Sequence, residues 1–567
     1  MVAASMPHPS LAIATGTLLS EEPGLGALTI PAYAREVTSR FADREALVMH
    51  AFGAVERWTY ATLWERSVDV AKSLIACGVN KDSRVGILMA NRPEYLAAIF
   101  GTALAGGVAV PLSTFSTPSE LDYLLKTSAV SVLLFDRRVL QQDFQAMLQA
   151  ESETRFPFLR HRVMLPSVTE REEHKPTSDG GIESWSAFLA RGVAVEDSLV
   201  DARADSVKSA DLGALFFSSG TTSLPKGILH TQRAICIQWW RWPRVMGVEG
   251  PVRSWTGNGF FWAANLSLVI GIALSTGGSV VLQPTFQAEQ ALELMQKERV
   301  SMPVGRPHQW ARLQAAPNWQ SADLSSLRYI DRRMTLAQHP TVKTQWQLPP
   351  SYGNTETLTI STCSPNVPSR TQAGVGHGEP LPGNTIKIID PLGGAVLARG
   401  QRGEVAVKGA TLMTSYVGKH REEALDDEGF FHTGDGGYLD DAGRLFWEGR
   451  LTDIIKTGGA NVSPLEVDAA LVTFPGVKIA QTVGVPHDTL GEMVVSCLVP
   501  VESTSLDEAQ IRAQLKERLA SYKIPRRVLF FNESELQVTG NGKVKTAELR
   551  ELVARRLGLS TSVPADG

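Results

Sequence analysis

The chain has few cysteines, and they are scattered. Its 567 residues include 4 Cys, at Cys77, Cys236, Cys363 and Cys497, and no two form a Cys-x-x-Cys pair. A disulfide framework or a structural zinc site normally requires closer, regular spacing along the sequence. We therefore predict reduced thiols and a cytoplasmic protein.

The chain also lacks a strong net charge and a long apolar run. Its 55 Lys+Arg and 59 Asp+Glu give a formal net charge of -4, so the charge gives no reason to expect a nucleic-acid partner. The most apolar stretch, residues 266–282, is interrupted by Ser, Thr and Gly, which predicts a buried helix followed by a buried strand. Residues 1–28 lack the positive start and continuous apolar core of a secretory signal. We expect no signal peptide and no transmembrane segment.

The length and the hydrophobic pattern predict several domains. A chain of 567 residues exceeds one ordinary hydrophobic core, and 43% hydrophobic with 20% charged residues is close to the globular average. In the first half, apolar runs alternate with helical patterns, which is typical of parallel sheets covered by helices. The predicted strands are residues 46–50, 84–89, 108–111, 131–135, 213–217, 279–282 and 327–330.

The texture changes twice in the second half of the chain. Short strands separated by Gly, Pro and Asp turns extend over residues 374–449, and a mixed pattern of helices and strands follows from residue 451. We predict an α/β fold with a large N-terminal domain over residues 1–450, made of two αβ subdomains and a small twisted β subdomain. A mobile, smaller α+β C-terminal domain would follow over residues 451–567. Its predicted helices are 467–471, 507–519 and 546–557, and its predicted strands are 479–485 and 494–499.

A loop rich in Ser, Thr and Gly lies between an apolar strand and a helical segment, at residues 216–227. Hydroxyl groups, freed backbone N–H groups and one lysine are suited to wrapping a triphosphate. The loop is not a Walker motif, because Pro225 precedes Lys226 where that motif needs glycine. Taken alone, the segment could also be an ordinary loop.

Four further motifs follow in a fixed order. They are Ser-Tyr-Gly-Asn-Thr-Glu-Thr at 351–357, His-Thr-Gly-Asp at 432–435, Glu-Gly-Arg-Leu-Thr-Asp-Ile-Ile-Lys at 448–456 and Asn-Gly-Lys at 541–543. Together with the Ser/Thr-rich loop, this set closely resembles the acyl-adenylate-forming superfamily of acyl- and aryl-CoA ligases, peptide-synthetase adenylation domains and beetle luciferases. The resemblance extends from about Thr29 to about Leu557 and is closest in character to bacterial acyl-CoA ligases.

The resemblance implies roles for individual residues. ATP and AMP would contact Ser218, Ser219, Gly220, Thr221, Thr222, Lys226, Tyr352, Gly353, Thr355, Asp435, Arg450 and Lys543. The acyl pocket would include Phe261, Trp262 and Gly353, and the hinge and the coenzyme A tunnel would include Thr452, Gly458 and Gly459. The catalytic residues would be Thr221, Glu356 and Lys543, with Glu356 holding Mg²⁺, a cation that prefers carboxylate and phosphate oxygens.

Within that set, the resemblance places Tyr352 on the adenine face, Thr355 at the α-phosphate and Asp435 at the ribose hydroxyls, with Arg450 beside the same sugar. Two departures stand out: Gln232 replaces a common histidine, and residues 331–334 replace a small Gly/Ala-rich turn against adenine.

The expected reaction is ATP-dependent adenylation of a carboxylic acid and transfer of the acyl group to coenzyme A, with release of AMP and pyrophosphate. Aromatic residues after the loop favour a hydrophobic acid with an aryl or alicyclic body, although a medium or long chain is also open. Residues 260–268 contain no acidic side chain to hold an amino-acid ammonium group. A stand-alone enzyme that loads a carrier protein, and a non-catalytic binding protein of the same fold, are the alternatives. A homodimer is left open.

Lys543→Ala tests the role that the resemblance gives this lysine. Carboxylate and triphosphate repel each other, and one ammonium group between them would offset charge that builds at the α-phosphate. We expect adenylation, measured by pyrophosphate exchange, to slow by about 10²–10³-fold. Thioester formation from synthetic acyl-adenylate should be largely spared, because it builds no such charge. Adenylation at the wild-type rate would remove Lys543 from the mechanism.

Overall fold

The computed structural model describes residues 10–51, 53–149, 155–168, 181–218, 225–364, 376–457, 460–487, 489–502, 504–519, 521–538 and 544–559. Within these ranges no helix combines the length and the apolarity that crossing a bilayer requires. The predicted α/β fold class is confirmed.

The largest sheet, called here the large sheet, has eight strands. Its strands run in the spatial order Ile182–Ser184, His161–Leu165, Val132–Asp136, Arg84–Leu88, Val108–Pro111, Leu212–Phe217, Gly227–Thr231 and Ser415–Tyr416. The first six are parallel, and the last two are antiparallel to their neighbours. The loop predicted to bind phosphate therefore connects the last parallel strand to the first antiparallel one.

A second sheet of five strands lies beside the large sheet. Its order is Met302–Val304, Arg253–Thr256, Ser279–Leu282, Glu45–Ala51 and Ala54–Thr59, and all pairs are parallel except the last. One buried cluster contains residues of both sheets together with Phe100 and Trp239 from the helices between them. The two sheets thus share a layer of buried helices, as the alternating pattern predicted.

The helices of this N-terminal part have clear sequence signals. Thr117 caps helix Pro118–Ser128 by a reciprocal capping box with Glu120, and proline occupies the first turn. In the described ranges before residue 320, the α-helices are Ile30–Arg40, Tyr60–Ala76, Pro93–Leu104, Pro118–Ser128, Phe144–Gln149, Trp185–Gly192, Asp197–Ser206, Gln232–Val245, Ala263–Asn265, Gly271–Ser275, Ala288–Lys297 and Pro307–Gln314. A π-helical segment, Leu266–Ile270, joins two of them.

One predicted strand is wrong. Residues 327–328 are irregular and residues 329–330 form a bend, so the segment is not a strand. The backbone N–H groups of Arg328 and Tyr329 both donate to the carbonyl of Ser301, so no ladder with the neighbouring strand can form. Leu327 and Ile330 are still buried, and burial of these two apolar side chains explains why the segment resembled a strand.

Two further sheets make up most of the second half: the third is antiparallel, and the fourth is antiparallel except for its strand Arg527–Phe530, which pairs in parallel with Gly491–Pro500. The third sheet contains Ile13–Thr15, Asn384–Ile389, Gly403–Gly409, Phe431–Leu439 and Leu445–Arg450. The fourth contains Ala460–Val462, Ile455–Thr457, Gly491–Pro500, Val477–His487 and Arg527–Phe530. A short three-stranded sheet contains Ser351–Tyr352, Thr362–Cys363 and Glu379–Pro380, which come before strand Asn384–Ile389 in the chain.

The helices after residue 460 are Pro464–Leu471, Glu508–Leu515 and Thr546–Arg556. The predicted helix 507–519 is therefore shorter than expected, because the chain forms turns after Leu515. The division of the chain at residue 450 and the mobility of the second part stay predictions.

A buried ion pair joins the N-terminal segment to the helical layer. The side chains of Glu22 and Arg241 are both 0% exposed. Two hydrogen bonds connect them, of 2.9 Å from Nε to Oε1 and 2.7 Å from Nη2 to Oε2. Arg241 Nη2 also donates to the carbonyl of Pro382 at 2.8 Å. Arg241 therefore joins helix Gln232–Val245 both to the segment that follows strand Ile13–Thr15 and to the turn before strand Asn384–Ile389.

Glu22→Ala should destabilise the protein strongly, because it leaves a guanidinium buried without its counter-ion. Breaking one side of a buried pair typically costs about 3–5 kcal/mol in the free energy of unfolding. Urea unfolding followed by tryptophan fluorescence measures the loss. The matched control is the exposed neighbour Glu21→Ala, which should change stability by less than about 0.5 kcal/mol. Equal midpoints for the two variants would contradict the role of the pair.

Candidate active site

The base of the phosphate loop is closed by two hydrogen bonds between Ser218 and Lys226. The Ser218 N–H donates to the Lys226 carbonyl at 3.0 Å, and the Lys226 N–H donates to Ser218 Oγ at 3.0 Å. Both residues lie where the large sheet changes from parallel to antiparallel. Ser219, Gly220, Thr221 and Thr222, which the sequence also assigned to ATP, lie outside the described residues.

Tyr416 connects this loop to the predicted metal ligand. The Tyr416 hydroxyl donates to Glu356 Oε1 at 3.0 Å. The ammonium nitrogen of Lys226 lies 5.1 Å from the centroid of the same ring, within cation–π distance. Burial and the neighbouring Glu356 carboxylate raise the pKa of Tyr416 well above its usual range, so the hydroxyl remains a donor. Tyr416 was not predicted as a site residue, because it lies outside the five motifs.

The backbone around Thr355 and Glu356 is held by hydrogen bonds from two sides, one of them from strand Gly227–Thr231. His230 Nε2 donates to the Thr355 carbonyl at 2.7 Å, because a carbonyl oxygen can only accept. Burial lowers the pKa of His230 to about 4, so the ring is neutral at physiological pH. On the other side, the Met413 N–H donates to the Glu356 carbonyl at 2.7 Å. The two predicted ligand-binding residues therefore sit on fixed backbone.

The turn that follows is strained. Leu358 and Thr359 have φ values of 50° and 84°, although neither is glycine and Thr359 is β-branched. Gln238, buried in helix Gln232–Val245, donates from Nε2 to the carbonyls of Leu358 at 2.7 Å and Ile360 at 3.0 Å. A Cβ at Gly353 would lie 2.2 Å from the Thr359 carbonyl oxygen, so only glycine fits there. Such strain is stored where surrounding contacts over-determine the backbone.

The three residues predicted near adenine and ribose are brought together. The Tyr352 hydroxyl donates to Asp435 Oδ2 at 2.6 Å, and Arg450 Nε lies 3.1 Å from Asp435 Oδ1. Burial and the Asp435 carboxylate raise the pKa of Tyr352 far above its ordinary value. The contact between Tyr352 and Asp435 was not expected from the sequence. Stacking of Tyr352 on adenine and binding of ribose by Asp435 stay predictions.

Two of the aromatic residues predicted for the acyl pocket form a cluster with Phe115. The ring centroids of Phe261 lie 5.8 Å from Phe115 and 5.1 Å from Trp262. Asn91 fixes the preceding turn, because its side chain bonds the Asn258 carbonyl and the Phe260 N–H. Phe261 is buried and Trp262 is half-buried. The other aromatics of this region are buried as well: Trp239, Trp240, Trp242, Trp255 and Phe260.

The hinge residues are only partly described. Thr452 is exposed in the short 3-10 helix Leu451–Asp453, and its carbonyl accepts a hydrogen bond from Arg550 Nη2 at 3.4 Å. Gly458, Gly459 and Lys543 lie outside the described residues. Their roles in the coenzyme A tunnel and in catalysis stay predictions.

The two departures from the family pattern have structural explanations. Gln232 is buried and accepts from the Ile30 N–H at 2.9 Å while donating to the Leu212 carbonyl at 3.2 Å. Asp331 is buried and accepts from the backbone and side chain of Arg333 and from the Leu348 N–H. Burial alone would raise the pKa of Asp331, but these hydrogen bonds hold it below the ordinary value. The unusual segment 331–334 is thus a turn built around one carboxylate.

Comparison with known proteins assigns the family. The model of AMP-binding enzymes matches residues 34–417, and the model of the AMP-binding enzyme C-terminal domain matches residues 466–543. The chain belongs to the AMP-binding enzyme family, and the resemblance drawn from the motifs is confirmed.

Curated relatives match over nearly their whole length. The chain is 31% identical to the indoleacetate–CoA ligase of Aromatoleum aromaticum, over 91% of this chain and 95% of the relative. It is 29% identical to a feruloyl-CoA synthase of Amycolatopsis sp, over 92% of this chain and 97% of the relative. The predicted enzyme class, an AMP-forming carboxylic acid–CoA ligase, is confirmed by the family and these relatives.

Solved structures show the same fold. ATP-bound MatB from Rhodopseudomonas palustris matches with a TM-score of 0.73 at 24% identity, covering 92% of this chain and 99% of that chain. The anthranilate CoA ligase AuaEII, in complex with anthranoyl-AMP, matches with a TM-score of 0.74 at 22% identity, covering 95% of this chain and 99% of that chain.

Tyr416→Phe tests whether Tyr416 positions Glu356. The variant keeps the ring beside Lys226 and removes the hydroxyl that orients the carboxylate. A hydrogen bond to a charged group contributes about 1.5–3 kcal/mol, so the Mg²⁺ concentration for half-maximal pyrophosphate exchange should rise by about 10–100-fold. The control is Tyr438→Phe, whose ring stacks on Phe446 in the third sheet. An unchanged Mg²⁺ requirement in Tyr416→Phe would refute the positioning role.

Proposed function

We propose that this enzyme adenylates a hydrophobic carboxylic acid with an aryl or alicyclic body and transfers the acyl group to coenzyme A. The observation that carries the choice of acid is the cluster of Phe115, Phe261 and Trp262. Aromatic walls suit apolar and planar ligands. Phe261 follows strand Arg253–Thr256 in the chain and lies within residues 260–268, which contain no acidic side chain.

The named acids of the relatives support this choice. Indoleacetate, feruloyl and the methyl-dioxo-octahydroindenyl propanoyl group of a Mycobacterium tuberculosis ligase each join a ring system to a short acid chain. The last relative is 31% identical over 92% of this chain. A ring acid for this enzyme agrees with all three.

The geometry also supports assignment of the nucleotide end. Lys226, Thr355 and Glu356 converge around Tyr416 and His230, where a triphosphate would meet one cation, backbone groups and a carboxylate. A half-buried carboxylate oriented by a hydroxyl donor fits a hard cation such as Mg²⁺. Glu356 would hold this ion, which would neutralise phosphate charge when bound. Asp435 and Arg450 would hold the ribose on the third sheet.

Two further parts of the proposal rest on the sequence. Free coenzyme A is the proposed acceptor, and a carrier protein is the alternative. Measuring the rate of acyl transfer to each acceptor distinguishes the two. A cytoplasmic location is proposed from the scattered cysteines. The roles that the motifs assign to Ser219, Gly220, Thr221 and Thr222, to Gly458 and Gly459, and to Lys543 also belong to this proposal.

The choice of acid is tested by the kcat/KM for thioester formation with ring and non-ring acids. The panel contains indoleacetate, a hydroxycinnamate, cyclohexylpropanoate, octanoate, acetate and phenylalanine. We expect indoleacetate, the hydroxycinnamate and cyclohexylpropanoate to exceed acetate by at least about 100-fold, because burying a ring gains several kcal/mol of apolar contact. They should also exceed phenylalanine, because residues 260–268 contain no acidic side chain to hold its ammonium group. Best turnover on acetate or phenylalanine would overturn the proposal.

Phe261→Ala should weaken the preference for ring acids by about 10-fold or more while leaving acetate nearly unchanged. Phe158→Ala is the matched control, because Phe158 is 55% exposed and belongs to no part of the candidate site. If both variants keep the wild-type preference, Phe261 does not line the acyl pocket.

A further inference from the structure

Three side chains with metal-binding atoms meet at one edge of the large sheet. Cys77, His161 and Glu183 each offer one such atom, and these atoms all lie within 4.8 Å of one another. All three residues are half-buried. The cluster belongs to none of the motifs that define the candidate active site.

The fold brings the three together from distant parts of the sequence. Strands His161–Leu165 and Ile182–Ser184 are parallel neighbours, and Glu183 pairs with Val163. Since side chains alternate along a strand, His161 and Glu183 lie on the same face of the sheet. Cys77 caps the end of helix Tyr60–Ala76, which packs against helix Trp185–Gly192.

The carboxylate of Glu183 has one occupied and one open oxygen. Arg191 Nε donates to Oε2 at 2.7 Å. Oε1 is buried and has no hydrogen-bond partner within the described ranges. It lies 3.9 Å from His161 Nδ1, which is too far for a hydrogen bond. A buried acceptor without a donor costs free energy, and a cation between the three ligand atoms would remove that cost.

We propose that Cys77, His161 and Glu183 form a binding site for a divalent transition-metal ion of the zinc class. Thiolate sulfur, imidazole nitrogen and carboxylate oxygen are the ligands that zinc takes in proteins, whereas Mg²⁺ and Ca²⁺ prefer oxygen alone. The three protein ligands leave a fourth tetrahedral position for water. The thiolate and the carboxylate balance the charge of the ion.

Arg191 would act as an outer partner that orients the carboxylate, as hydrogen bonds to ligating groups commonly do. The site would fasten the end of helix Tyr60–Ala76 to the edge of the large sheet. It lies at the edge formed by Ile182–Ser184, whereas the phosphate loop adjoins Gly227–Thr231 near the other edge. The bound ion is therefore independent of the adenylation chemistry.

Cobalt titration of the chelator-treated full-length protein, without ATP or acid, tests the site. Co²⁺ bound to a thiolate gives a near-ultraviolet charge-transfer absorption, and tetrahedral Co²⁺ gives intense visible bands. We expect saturation at about one equivalent per chain and displacement of the cobalt spectrum by Zn²⁺. Zn²⁺ should also raise the midpoint of thermal unfolding, because it binds only the folded chain. Absence of the charge-transfer absorption would overturn the proposal.

Variants separate this site from adventitious binding. Cys77→Ser should abolish the charge-transfer absorption. His161→Gln and Glu183→Gln each remove a direct ligand, so each should weaken Zn²⁺ binding by more than the roughly 10–100-fold that loss of a hydrogen-bond partner of a ligand costs. His420→Gln, at an exposed histidine elsewhere, should bind like wild type. Pyrophosphate exchange in every variant reports that it is folded. Equal Zn²⁺ affinity in the wild type and the three site variants would show adventitious binding and overturn the proposal.

Discussion

The candidate active site depends on one strand, Gly227–Thr231, which pairs on both sides. It pairs with Leu212–Phe217 on one side and with Ser415–Tyr416 on the other. The pairing with Leu212–Phe217 closes the base of the phosphate loop, and the pairing with Ser415–Tyr416 brings Tyr416 to Glu356. His230, on the same strand, holds the carbonyl of Thr355. Loss of this double pairing would separate the loop, the predicted metal ligand and the α-phosphate residue at once.

The side chains that hold the backbone from Thr355 to Ile360 are neutral. Burial keeps His230 uncharged, and Gln238 holds the strained turn at Leu358 and Thr359 with an amide group. Neutral donors fix carbonyl groups without adding a competing charge in a low-dielectric interior. The strain at Thr359 can therefore persist without an electrostatic cost. A rigid backbone of this kind is what preorganised stabilisation of developing charge requires.

The sequence predicted most of the fold because periodicity and burial agree in it. The strands at 108–111 and 279–282 match their predicted bounds, since each is a short apolar run bounded by turn residues. The strand predicted at residues 327–330 is wrong because burial of Leu327 and Ile330 gives the segment the apolar pattern of a strand. Its backbone instead places two N–H groups on one carbonyl. Local pattern cannot show which carbonyl a backbone group will find.

The site was predictable only where its residues lie in motifs. Asp435 and Arg450 stand in recognisable segments, and they meet in the structure. Tyr416 lies in a short edge strand that no motif marks, and its importance arises from its pairing with Ile228. The cluster of Cys77, His161 and Glu183 also forms through contacts between distant segments, and the spacing of these residues along the chain does not predict it. Contacts between distant segments are what the sequence pattern leaves open.

The two carboxylates of the site are oriented in the same way but differ in charge balance. Tyrosine hydroxyls donate to both, at 3.0 Å from Tyr416 to Glu356 and 2.6 Å from Tyr352 to Asp435. A neutral donor fixes a carboxylate and leaves its negative charge and remaining lone pairs available. Asp435 also pairs with Arg450, whereas Glu356 forms no ion pair in the described part of the chain. Within those residues, the Glu356 carboxylate therefore meets no protein cation that would compete with a bound metal ion. The partly balanced charge of Asp435 suits neutral hydroxyl groups, so the electrostatics of each carboxylate fit the different ligand proposed for it.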